Sequence, residues 1–145
     1  MKDVWTVMFD KTERHAKQAQ KMLIAMNARK QAAESSLSRL DALVKDYLKD
    51  MARAQEGSSR LAVTQYYQEF IGEIQYAQKG VERDMLMIDV DLQVARLSLR
   101  EAEQAHMKSK KLMERQQIRS LNATTQREAK EQDLNATLRF NMQYK

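Results

Sequence analysis

The chain has no cysteine and no proline, and only three glycines among its 145 residues. Without cysteine it has neither a disulfide framework nor a thiolate metal site. Without proline, and with so little glycine, the turns that a β-protein needs between its strands have almost no residues to make them. Long apolar runs are also missing. Nothing approaches the roughly 18 consecutive apolar residues of a membrane span, and the apolar start at Val4, Trp5, Val7, Met8 and Phe9 runs into Asp10 and a charged stretch before a signal-peptide core can form. These features read as a cytosolic protein.

With 31 % of residues charged and a mean hydropathy of −0.72, little apolar material is left to enclose a pocket, so we expect no enzyme. The formal net charge is +5, from 25 Lys and Arg against 20 Asp and Glu. Both signs are interleaved, and the densest basic cluster is only Lys108, Lys110 and Lys111. The charge does shift along the second half. Residues 73–105 carry 4 basic and 7 acidic side chains, whereas residues 106–145 carry 9 basic and 4 acidic ones.

What the chain has in abundance is apolar residues at helical spacing. Steps of four and three from Trp5 meet Phe9, Thr12, Ala16, Ala19, Leu23, Met26, Lys30, Ala33, Leu37, Leu40, Val44, Tyr47, Met51 and Ala54, of which only Thr12 and Lys30 are polar. A mean period of 3.5 keeps such a stripe on the side of a helix that faces a partner helix. The stripe breaks at residues 55–60, where Gly57 can end one helix and Ser58 or Ser59 can cap the next. A second stripe follows at Tyr67, Phe70, Ile74, Ala77, Val81, Met85, Ile88, Leu92, Ala95, Leu99 and Ala102.

A short link favours antiparallel neighbours. The expected fold is therefore all-α, an antiparallel two-helix coiled-coil hairpin in one coiled-coil domain, with arm one at about 3–55, the turn at 56–60 and arm two at about 61–140. The consecutive four-residue steps at Ala77, Val81 and Met85 predict a stutter that locally unwinds the coil. Gly72 and Gly80 flank it, either as weak points of the helix or as small residues that permit close packing. If residue i lies opposite 116 − i, Lys30 falls near Leu86, within a turn of Asp84 or Asp89. The same rule leaves the last thirty residues as a projecting C-terminal helix, in which Ile118, Leu121, Leu134, Leu138 and Phe140 stay apolar and available to a partner.

Chemistry-bearing motifs are sparse. His15 and His106 are the only histidines and lack a third ligand type nearby, there is no HExxH pair, and no glycine-rich phosphate loop exists. Glu82 with Asp84, and Asp89 with Asp91, sit two residues apart on different helix faces, which does not make an acid/base pair. We expect no catalytic residue, metal, cofactor or small-molecule substrate. Of the ten Met residues, Met22, Met87 and Met107 lie beside the stripes and are candidates for partner contact.

The segment Gln65-Tyr66-Tyr67-Gln68-Glu69-Phe70-Ile71-Gly72-Glu73-Ile74, opening the second arm, resembles the Tyr-x-x-Phe-Ile/Val-x-x-Leu region of the FliJ family. These are small cytoplasmic coiled-coil proteins of flagellar type III export, related to the YscO-like proteins of injectisomes. Lys110-Lys111-Leu112-Met113-Glu114-Arg115-Gln116 is similar to the family's Lys-x-x-Glu-Arg/Lys stretch. Ala129-Lys130-Glu131-Gln132-Asp133 is similar to the segment before its C-terminal Asp-Glu, although Leu134 stands where the second acid would be.

The resemblance implies a non-enzymatic stalk or escort at the inner-membrane export apparatus. Its partners would be the export ATPase hexamer, the cytoplasmic domain of the export gate and export chaperones. Leu40, Tyr47, Phe70, Ala77 and, with Ile replacing Leu, Ile74 match the family's gate-contact patch, while the heptad frame puts the same five in the seam, so both roles stand for them at this point. The projecting residues from Ile118 to Phe140 would face the ATPase ring. Other functions compatible with the pattern are the equivalent injectisome component, a homo-oligomeric tether and a basic nucleic-acid-binding coiled coil. The last lacks the basic-aromatic interleaving that would support it, and we expect no nucleic-acid partner.

Overall fold

A computed structural model describes residues 3–56 and 60–143. It holds two helices, α1 at Val4–Ala54 and α2 at Arg60–Gln143, packed against each other as an all-α hairpin. No strand occurs among the described residues. Asp3 starts α1 as an N-cap, its Oδ1 accepting from the Trp5 amide at 3.3 Å and its carbonyl from the Val7 amide at 3.1 Å. At the other end the Gln55 amide still donates to the Met51 carbonyl, and Arg60 Nε donates to the Gln55 carbonyl, which the helix leaves without an internal partner. The expected stop at Gly57 and the expected caps at Ser58 or Ser59 lie outside the described residues.

The chain divides into two compact units, one of them Gln18–Leu99. Within it the α1 seam falls as the spacing requires, with each stripe position from Ala19 to Ala54 half-buried and most residues between them exposed. On α2 the seam runs through Thr64, Tyr67, Ile71, Ile74, Gln78, Val81, Met85, Ile88, Leu92, Ala95 and Leu99, all half-buried or buried. That series alternates three and four without interruption, so the expected stutter is absent. Ala77 is exposed, and Gln78 occupies the seam in its place. An exposed amide end makes this tolerable, since Gln78 Nε2 reaches across to donate to Asp41 Oδ1 at 2.7 Å.

Ile88 and Leu92, at 2 % exposure, are the most buried side chains of this unit. Polar contacts beside them set the alignment of the two helices. Lys30 Nζ lies 3.2 Å from Asp89 Oδ1, and Arg29 lies 3.9 Å from Asp91. Near the turn, Gln55 Nε2 donates to Thr64 Oγ1 at 3.2 Å. The helices are antiparallel as expected, shifted by a few residues from the simple pairing rule, so that Lys30 meets Asp89 and not Asp84.

The second unit consists of the described residues of Met1–Lys17 and Arg100–Lys145. Trp5, Phe9, Thr12 and Ala16 are half-buried here, as are Ala102, His106, Met113 and Gln116, and Ser109 is buried. The seam therefore continues past Ala105 through polar residues that an apolar stripe does not reveal. The Phe9 and His106 rings lie 4.8 Å apart, and Thr12 Oγ1 is 3.2 Å from His106 Nδ1. The same hydroxyl is within 3.0 Å of the Met8 and Phe9 carbonyls. With its proton turned to those carbonyls, the oxygen accepts from Nδ1–H of His106. From Gln117 to Gln143 every residue is exposed, a length of about 40 Å of helix.

Gly72 and Gly80 are both helical, with φ in the ordinary range. A Cβ at either would meet nothing within 4 Å, so close packing is not the reason for them. Replacing either with Ala should stabilise the chain by about 1 kcal/mol, through the lower backbone entropy of the unfolded state. Thermal unfolding followed by circular dichroism reads this as a higher melting temperature for each variant.

Lys30→Leu should also raise the melting temperature. The ammonium and the Asp89 carboxylate are both well hydrated, so their pairing is worth at most about 1 kcal/mol, while a leucine in the seam gains apolar burial and leaves Asp89 in water. A fall would mean that the ion pair contributes more than its exposure implies.

Candidate protein-binding surfaces

No group of three or more His, Asp or Glu is arranged to hold a metal ion among the described residues. His106 packs into its helix pair, and His15 is exposed on α1. No described helix is long and apolar enough to cross a membrane. The hollows along the helices are open grooves, such as one of about 210 Å³ lined by Ala19, Met22, Met26, Asp91, Val94, Ala95 and Ser98. Exposed and half-exposed side chains form three apolar surfaces.

One such surface is aromatic and lies toward the turn, in the unit Gln18–Leu99. Tyr47 from α1 meets Phe70 and Tyr67 from α2 at ring separations of 4.8 and 6.1 Å. Tyr66 adds a fourth ring, edge-on to Tyr67 at 5.6 Å and stacked over Phe70 at 6.4 Å. Three of the four come from one turn of α2, where residues three and four apart share a face. Tyr47, Tyr67 and Phe70 are half-buried, but Tyr66 is mostly exposed. The cluster thus has a packed base and an open outer edge with a phenolic hydroxyl, a composition that suits protein contact.

The five residues matched to the gate-contact patch divide accordingly. Tyr47 and Phe70 touch each other. Leu40 is a half-buried seam residue, and Ile74, at 6 % exposure, is enclosed by the seam. Ala77, expected in the seam, is exposed. Tyr66 was not among the residues singled out, although its place one residue before a seam tyrosine marks it as facing outward.

The second surface is the exposed stretch of α2 from Gln117 to Gln143, in the other unit. Ile118, Leu121, Leu134, Leu138 and Phe140 are all more than half exposed. They do not form one stripe. At about 100° per residue, Ile118, Leu121 and Phe140 share one side, Leu134 and Leu138 lie on roughly the opposite side, and exposed Met142 falls between Leu138 and Leu121. Thr124, Thr125 and Thr137 each turn their hydroxyl back to the carbonyl four residues earlier, at 2.9 Å, satisfying themselves within the helix. Such a two-sided helix fits a partner that surrounds it better than one that offers a single groove.

A third apolar area was only half visible from the sequence. Met22, Met87 and Met107 are exposed beside the seams. Met87 belongs to a larger group with Leu86, Val90, Val94 and Leu97, each more than half exposed. A second series at three- and four-residue spacing, running behind the first, is its signal in the sequence. Comparison of the chain with protein-family models, curated proteins and solved structures gave no match.

Phe70→Ala should destabilise the hairpin by about 2 kcal/mol, below the range for a fully buried Phe because the ring is half-exposed. Tyr66→Ala should stay within about 0.5 kcal/mol of the parent. Urea denaturation of the two variants measures the difference. Equal losses would mean that the outer ring carries as much of the packing as the inner one.

Proposed function

We propose that this protein is a non-enzymatic interaction component of a type III protein export apparatus, a stalk or escort that binds the export ATPase ring through the C-terminal part of α2. The observation that carries the reading is the continuous exposure of α2 from Gln117 to Gln143, with large apolar side chains on more than one side. An isolated helix gains little from such residues in water, because most helical stability comes from packing an apolar face. A ring enclosing the helix would cover both sides together. The sequence resemblance of residues 65–74, 110–116 and 129–133 to the FliJ family supports the same role.

The aromatic cluster of Tyr47, Tyr66, Tyr67 and Phe70 is the second contact in this reading, directed to the cytoplasmic part of a membrane export gate. Export chaperones would use the remaining exposed methionines. The protein then works at the cytoplasmic side of the membrane, and its role is equally compatible with a flagellum or an injectisome.

Deleting residues 117–145 tests the first contact, since the cut follows the last half-buried position, Gln116. The truncated hairpin should keep its helical circular dichroism and cooperative melting, and should lose both binding and stimulation of the export ATPase. Binding retained by the truncated chain would remove the assignment. Loss of the cooperative melt would show that the segment belongs to the fold.

A further inference from the structure

Around residues 85–99 the second helix is apolar on nearly every side, reading Met85-Leu86-Met87-Ile88-Asp89-Val90-Asp91-Leu92-Gln93-Val94-Ala95-Arg96-Leu97-Ser98-Leu99. Ile88, Leu92 and Ala95 are buried against α1, whereas Leu86, Met87, Val90, Val94 and Leu97 remain 55–69 % exposed. A helix apolar all round is ordinarily covered all round. Both faces of this segment lie in the unit Gln18–Leu99, so the uncovered one is a property of that unit alone.

We propose that this face binds a second copy of the chain, with the two α2 helices antiparallel about a two-fold axis beside Leu92. The spacing carries the argument. Met87, Val90, Val94 and Leu97 step by three, four and three, a series that is the same read in either direction. An antiparallel copy centred at Leu92 therefore sets Met87 against the partner's Leu97 and Val90 against the partner's Val94, and the same two layers recur on the other side of the axis. This is the layer pairing of an antiparallel coiled coil and an isologous contact, in which one surface serves both copies.

Charge and area agree with that occupant. Asp91 flanks the stripe near the axis, where a second copy would bring a like charge beside it, and Arg29 stands 3.9 Å from this carboxylate. Each copy thus presents a cation with its anion, and the axis gathers two of each. Covering the five exposed side chains on both copies removes up to roughly 1,200 Å² from water, the lower edge of a specific interface. Met22 borders Val94 across the groove that both helices line, which gives the partner helix a second wall. The pairing is thus weak and concentration-dependent. It uses neither the aromatic cluster nor the stretch beyond Gln117, so it stands apart from the proposed ATPase and gate contacts and shares only Met22 and Met87 with the proposed chaperone contact.

Sedimentation of the full chain across a wide range of concentration tests it, with circular dichroism confirming that each variant is folded. The parent should shift reversibly from monomer to dimer. Val90→Lys should weaken dimerisation at least about tenfold, and Val94→Glu likewise, because each places a charge in an apolar layer. Mixing the two variants should restore a dimer, since only the antiparallel register sets the introduced ammonium of one against the introduced carboxylate of the other. A parent that stays monomeric throughout, a dimer indifferent to Val90→Lys, or a mixture no tighter than either variant alone would each overturn the proposal.

Discussion

Everything in this protein depends on apolar side chains recurring at alternating intervals of three and four residues on two helices of one chain. That interval keeps a seam facing its neighbour, and through it the described residues of a single chain remove apolar surface from water. The result is thin. No described residue of α1 is buried, and the buried positions of α2 are confined to scattered seam residues such as Ile88 and Leu92. A two-helix seam leaves its flanks wet, so apolar contact holds the helices together but discriminates poorly between neighbouring registers. Polar pairs supply that discrimination. In one unit Lys30 with Asp89 and Asp41 with Gln78 fix it, and in the other Thr12 with His106 does.

The inequality of the two helices carries the functional argument. α1 ends its heptads at the turn, whereas α2 continues to Gln143 with every described residue after Gln116 exposed. Exposed apolar residues on such a helix cost solubility and add nothing to an isolated hairpin. In the proposed role a partner covers them, which is why the stretch weighs more in that role than any single side chain.

The seam of α1 was legible to the residue. Its stripe from Trp5 to Ala54 needed only the rule that apolar residues at this spacing face a partner, and each position is half-buried. On α2 the same rule misplaced two positions: Phe70 was taken where Ile71 is the buried seam residue, and Ala77 was preferred to Gln78 because alanine is more apolar than glutamine. Backbone periodicity outweighs side-chain polarity when the polar end can escape to a partner, as the Gln78 amide does at Asp41. The continuation through His106, Ser109 and Gln116 was hidden for the same reason. The aromatic cluster was legible in its members Tyr47, Tyr67 and Phe70, but not in the outward stacking of Tyr66, which depends on the rotation of α2. The two faces of the exposed stretch, and the stripe of Met87, Val90, Val94 and Leu97, required the seam to be known first, since a helix face is defined only against the one already used.

The pairing of α1 with α2 inside a single chain is the claim from which the rest follows, and an absence of native cysteine makes it directly measurable. Cysteines introduced at exposed Ala42 and Gln75, close in sequence to the Asp41–Gln78 contact between the helices, can carry spin labels whose separation is read by pulsed electron resonance. The account predicts a short distance, set by helix axes about 10 Å apart, that persists undiminished when the labelled protein is diluted with unlabelled chain. A short distance that fades on such dilution, or none at all, would show that the seams pair between chains and would contradict it.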